Sequence, residues 1–249
     1  MAKQCLFCPR PADSAEDVWS KWILKDLKPI QPIRITQGKR KSEWIDSCKV
    51  RVKCVCQKCN SGWMSDIEGE NKPHMRAMMN DELTVLTPTQ QRSLTRWSVL
   101  KAMVIDGSSK SRTPFYSESE RTSMKPSSSF IPVGTLAWIG RLSTKQLYTG
   151  LTDTFGEINH VPKAFHGCVV TIVVGHLVIQ VVTMHVLPMF ATNVIHPVYK
   201  PGAWNINLVD IWPVFGSAGW PPTLSFTLKG ADSIAALVNR CRIGDDITT

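Results

Sequence analysis

Two cysteine pairs with the same internal spacing constrain this chain more than any other feature. Cys5 and Cys8 lie in "CLFC", Cys56 and Cys59 lie in "CQKC", and each pair leaves two residues between its thiols. That spacing lets both sulfurs of a pair reach one tetrahedral Zn²⁺ at about 2.3 Å, the first pair on a knuckle and the second at the start of a helix. The segment between the pairs then has to fold back on itself so that they meet. Four free buried cysteines are the alternative reading. Cys48 and Cys54 alternate with Val50 and Val52 and read as core residues, and Cys54 lacks the two-residue reach needed to pair with Cys56. A secreted disulfide framework is disfavoured, because 249 residues suffice for a hydrophobic core and "MAKQCLFCPRPADSAEDVW" has no apolar signal stretch. A reducing, cytoplasmic setting is expected.

Local patterns fill in the first eighty residues. In "SAEDVWSKWILKDL", Ser14 with Asp17 three residues on looks like a helix start, and Val18, Trp22, Ile23 and Leu27 follow at helical spacing. A short helix is therefore expected from about Ala15, ended by Pro29 and Pro32. "IRITQGKRKSEWIDSCKVRVKCV" reads as a hairpin with Gly38 in its turn, one face apolar and the other carrying Lys49, Arg51 and Lys53. Asn60 and Ser61 read as caps of a helix through Trp63, Met64 and Ile67 that ends at Pro73 or a little beyond.

Residues 81–249 differ in kind. Thr87 as cap and Pro88 in the first turn open a helix carrying Leu94, Trp97, Leu100, Lys101 and Val104, expected to be amphipathic. Ser117 with Glu120 forms a capping box for a short second helix before Pro126. Strands follow in "TLAWIGRL", in a hairpin turning at Gly175 and His176, in "NINLVDIWP" and in "LSFTLKG". "ADSIAALVNRCR" reads as a closing helix. The expected fold class is α+β.

The formal net charge is +9, of which about +6 falls in the first eighty residues, so an anionic partner fits this chain. With 43% hydrophobic and 20% charged residues, disorder is excluded as the default state. No Asp, Glu, Lys or Arg occurs between Lys163 and Lys200, which raises the question of a membrane span. Gly175 and His176 interrupt that run and Val and Ile dominate it, so strands are expected there, and no membrane insertion.

Read together, the cysteine pairs, "SAEDVWSKW" and "CQKCNSGWMSDIEGENKP" resemble a family of bacterial and phage proteins related to HNH endonucleases. That family's motifs run approximately E-H-x-x-P-K-W and C-x-x-C-N-x-G-W-M-S-x-x-E. The likeness is close over Cys5 to Pro73, with Lys21 and Trp22, Asn60, Gly62 and Trp63, Met64 and Ser65 in register. It implies a treble-clef zinc module of the ββα-metal kind, residues 1–80, followed by a larger antiparallel-sheet domain with flanking helices, residues 81–249. Structural zinc would be held by Cys5, Cys8, Cys56 and Cys59. The catalytic positions would be Glu16, Asp17 and Asn60, with Mg²⁺ or another divalent cation between them.

Two positions depart from the family pattern. Asp17 stands where the family has its general-base histidine, and Ser20 stands in the proline slot. An aspartate carboxyl starts near about pKa 3.9, and a bound cation lowers it further, whereas a useful base titrates near the working pH. Losing a positioned base removes about 10² to 10⁴ in rate. The expectation is a nucleic-acid-binding protein, with DNA favoured, that is a degenerate or weak nuclease. Lys39, Arg40, Lys41, Lys49, Arg51 and Lys53 would track the phosphate backbone. A non-catalytic module that binds a protein partner, with the finger as scaffold, is the alternative. Trp19, Trp22, Trp44 and Trp63 fit the small core around the finger better than a base-stacking platform.

Overall fold

The computed structural model describes residues 3–17, 19–27, 33–35, 43–45, 51–108, 113–125, 129–158, 161–186 and 208–227. The protein is mixed α+β, with antiparallel pairing predominating. Its N-terminal part is built from β1 (Ser14–Asp17), α1 (Lys21–Asp26), β2 (Ile33–Ile35), β3 (Glu43–Ile45) and β4 (Arg51–Val55). A single helical turn, α2 (Gln57–Cys59), passes through a wider turn at Asn60–Met64 into α3 (Ser65–Met79).

The expected helix over Ser14 to Asp17 is a strand instead. Its residues pair antiparallel with β4, Ser14 opposite Val55, Glu16 opposite Val52 and Asp17 opposite Arg51. Ser14 and Glu16 face inward while Ala15 is exposed, an alternation no helix gives. The cap-like spacing is a local preference of under about 2 kcal/mol, and strand pairing with a distant segment overrides it. Helix α1 starts only after Ser20, whose extended backbone makes it the N-cap residue. Pro73 likewise fails to end α3. The helix continues to Met79 because Met75, Met78 and Met79 are fully buried, and their packing outweighs the hydrogen bond that proline removes.

The hairpin expected between the cysteine pairs is seen as β2 paired with β3, while its tip, including Gly38 and Lys39 to Lys41, lies outside the described residues together with Cys48 and Lys49. Strand β5 (Thr84–Leu86), which sequence patterning did not reveal, pairs with β9 (Ala218–Trp220). Between them in sequence come α4 (Pro88–Ser108), α5 (Glu118–Ser123) and the two long strands β6 (Thr135–Ile158) and β7 (Val161–Val186). Strand β8 (Leu208–Trp212) lies antiparallel to β6, and β10 (Ser225–Phe226) lies parallel to it.

Helix α4 is capped as expected: the Gln90 N–H donates to Thr87 Oγ1, and the Thr87 N–H donates to Gln90 Oε1 at 2.8 Å. It is not amphipathic in the usual sense. From Leu94 to Gly107 nearly every side is buried, since it packs against α3, β4, β7 and β8. Its polar residues are satisfied locally, Thr95 and Ser98 donating to carbonyls one turn back. The capping box of α5 forms as read, Ser117 Oγ accepting from the Glu120 N–H.

Gly175 does not turn a hairpin. Strand β7 runs through it, and the irregularity lies opposite Arg141 to Gln146 of β6. A Cβ on Gly175, at φ +64°, would sit 2.4 Å from the Met79 carbonyl oxygen. This glycine lets the end of α3 press onto the sheet. The uncharged stretch is strand as far as Val186, its remainder lying outside the described residues, and among the described residues no helix is long and apolar enough to cross a membrane. The closing helix expected over "ADSIAALVNRCR" lies outside the described residues. One apolar cluster, including Phe7, Ile23, Met75, Trp97, Ile139 and Trp220, runs through segments on both sides of residue 80.

Candidate functional site

The four paired cysteines converge. Their sulfurs all lie within 4.8 Å of one another, with Cys8 Sγ 3.5 Å from Cys56 Sγ and 3.7 Å from Cys59 Sγ. A tetrahedron with metal–sulfur bonds of about 2.3 Å has edges of about 3.8 Å, so the thiols are spaced for one zinc ion. The knuckle is held by Cys5 N–H donating to Arg10 O and by Leu6 N–H donating to Cys54 O, which pins it to β4. Cys56 is the N-cap residue of α2, and Asp13 Oδ1 accepts from the Gln57 N–H at 2.8 Å. Burial raises the Cys5 thiol and, more strongly, that of Cys59. At Cys56 burial also acts upward, but the Cys59 N–H and the neighbouring thiols outweigh it and bring the value down to about 7. Cys54 is fully buried and pushed up to about 12 by that burial, as suits an inert core thiol. Phe7 and Trp63 pack edge to face at 5.2 Å beside the cluster, and Trp19 is buried, so both tryptophans are core residues.

Next to the cluster lies a cavity of about 470 Å³ whose walls include Glu16, Asp17, Asn60, Glu68, Trp97 and Lys101. The three residues expected to be catalytic therefore border one space, two from β1 and one from the turn after Cys59. Their side chains are already engaged. Asn60 Nδ2 donates to Ser14 Oγ at 2.9 Å, which clasps the helix start to β1. Glu16 is 6% exposed, and its Oε1 accepts from Lys101 Nζ at 2.9 Å. Lys101 Nζ also lies 3.7 Å from Glu68 Oε2, while Glu68 Oε1 accepts from the Trp22 indole N–H. The Lys101 ammonium sits 5.9 Å from the centre of the Trp97 ring. Burial alone would lower its pKa, but Glu16 and then Glu68 outweigh that effect and raise it, so the side chain is charged.

Sequence reasoning missed Lys101 and Glu68 as members of this site. A signal existed for the first: Lys101 shares the stripe of Leu94, Trp97 and Val104, and a charge in an apolar stripe requires a partner. The identity of that partner is a tertiary fact.

The remaining candidates fall elsewhere. Lys53 is exposed on β4, and Arg51 is in the same strand, opposite Asp17. Lys39, Arg40, Lys41 and Lys49 are outside the described residues. His74 is buried in α3 and hydrogen-bonded to Asn71 Oδ1 at 2.8 Å, and burial brings its pKa down to about 4. It is not part of the cavity wall. A second cavity, about 510 Å³, lies along β5 and β9 between Val85, Trp220 and Pro221, with Leu83 89% exposed at its edge. No family model matches the chain, and no curated protein or solved structure matches it.

Proposed function

We propose that residues 1–80 are a treble-clef zinc module of the HNH-like, ββα-metal kind, and that the protein uses it to hold nucleic acid, DNA in the first instance, with little or no cleavage. The observation that carries this reading is the shared cavity: Glu16 and Asp17 on a strand and Asn60 on the following helix start border one space beside a four-thiol cluster. This is the layout that the sequence resemblance implies. Zinc in the cluster would fix the knuckle to the helix start and neutralise the thiolates. Asp17 leaves the site without a base suited to neutral pH. Affinity would come from the positive balance of the chain, with Lys53 on β4 and Lys21 at the cavity rim both exposed.

Fluorescence anisotropy of zinc-loaded protein with a labelled DNA duplex tests the binding. Association should be measurable at low salt and weaken steeply as salt rises, with no nicking of supercoiled plasmid in Mg²⁺, Mn²⁺ or Ni²⁺. A second reading, a module that docks a protein partner, is favoured by the exposed apolar side chains Leu83 and Val85 lining the second cavity. No DNA binding at low salt, together with a stable protein complex, would select it.

A further inference from the structure

A divalent cation at Glu16, Asp17 and Asn60 is what the resemblance implies, and the donor set does not fit one. Oxygen ligands hold Mg²⁺ at about 2.0–2.1 Å and Ca²⁺ at about 2.3–2.6 Å, with carboxylates converging on one point. Among the described residues the cysteines are the one such group of three or more His, Cys, Asp or Glu side chains. Glu16 and Asp17 are consecutive on a strand, so their side chains diverge although both residues border the cavity. Glu16 already carries the Lys101 ammonium at 2.9 Å, and a metal on the same oxygen would lie against that positive charge. Two further polar atoms of the cavity wall, Ser20 Oγ and Trp97 Nε1, are buried without a hydrogen-bond partner among the described residues; the indole N–H cannot ligate a cation, which leaves the Ser20 hydroxyl as a single additional oxygen donor.

We infer that Lys101, seated between Glu16 and Glu68, is a built-in counter-ion that substitutes for the divalent cation implied at Glu16, Asp17 and Asn60, making the cavity metal-independent. Lys101 and Glu16 come from segments 85 residues apart, and both are more than nine-tenths buried. The ammonium supplies in covalent form what a metal would supply from solution. It neutralises Glu16, holds α4 against β1, and excludes a second cation. It cannot polarise and deprotonate a water as a metal does, which accounts for a cavity that keeps its acids while lacking a base. This inference rests on the proposed kinship only for the expectation of a metal; the pairing itself is geometric.

The test is metal binding without nucleic acid, so its outcome is separate from that of the DNA-binding reading. Mn²⁺ titration of zinc-loaded protein, followed by electron paramagnetic resonance and by thermal unfolding, is done on the wild type, Lys101→Ala and Lys101→Met. The wild type should neither bind Mn²⁺ nor gain stability from it. Each variant should bind at least tenfold more tightly and be stabilised by Mn²⁺, and adding Glu16→Gln should abolish the gain. A variant too unstable to fold alone is tested by refolding with and without Mn²⁺. The idea is overturned if the wild type binds Mn²⁺ as tightly as the variants, or if removing the ammonium produces neither binding nor Mn²⁺-dependent refolding.

Discussion

The thiol cluster and the carboxylate cavity adjoin each other, and they meet the same problem in opposite ways. Each concentrates buried or half-buried acidic groups that repel one another when ionised. At the cysteines four sulfurs converge with no cationic side chain hydrogen-bonded to them among the described residues, an arrangement compatible with a bound metal as the balancing charge. At Glu16 and Glu68 the balance comes from Lys101, delivered by α4, a helix distant in sequence that packs against α3 and β4. The difference teaches that an acidic site and a metal site are not the same thing: what decides is whether the fold brings its own cation.

That comparison can be attacked at several points. The largest effect is expected at the cluster. Chelating zinc, or replacing Cys59 with serine, should remove stabilisation on the order of 10 kcal/mol and unfold the N-terminal part, seen as loss of tryptophan burial by fluorescence. A chain whose folding is indifferent to chelation would return the cysteines to the status of a free core group.

Breaking the internal pair comes next. Lys101→Met leaves Glu16 buried and uncompensated, and should cost about 3–5 kcal/mol in denaturant unfolding. The double variant Lys101→Met with Glu16→Gln should recover a large part of that loss, because the unpaired charge is what costs most. For the same reason Asp17→His together with Ser20→Pro should yield no plasmid cleavage while Lys101 is in place.

A smaller, pH-dependent effect separates both sites from an ordinary buried histidine. The folded value of His74, about 4, lies below the ordinary 6.5, so the unfolded chain binds the extra proton first. Stability from keeping it neutral is complete above about pH 6.5 and is lost as pH falls toward about 4. Between neutral pH and pH 5 the loss should be about 2 kcal/mol, and His74→Gln should remove that part of the slope. The Lys101 pair behaves in the opposite sense. The raised Lys101 pKa keeps the ammonium's contribution intact at neutral pH and loses it only in strong alkali. The smallest effect is at the clasp, where Asn60→Ala should cost about 1 kcal/mol through the lost bond to Ser14.

What the sequence disclosed and what it concealed divide along the range of the forces involved. The cysteine spacing and the Thr87 and Ser117 caps are short-range signals, and the structure has each in place; the uncharged run is strand as expected, but one strand through Gly175 rather than a hairpin turning there. Ser14 to Asp17 carried an equally good short-range signal for a helix and became a strand, because its partner lies at Arg51 to Val55. Gly175 was legible as special but not as a place where the Met79 carbonyl needs room. The site shows the same division. The motif points to Glu16, Asp17 and Asn60, whereas in the sequence Lys101 is one more residue of a helix that reads as amphipathic. Only the packing of α4 against α3, β4, β7 and β8 shows that this helix is buried nearly all round and that its lysine ends on Glu16.

The most direct test is elemental analysis of purified protein after dialysis against equal Zn²⁺ and Mn²⁺. A cluster that takes its cation from solution beside a cavity that carries its own predicts one zinc per chain and manganese at background. Stoichiometric manganese that disappears in Glu16→Gln would contradict it.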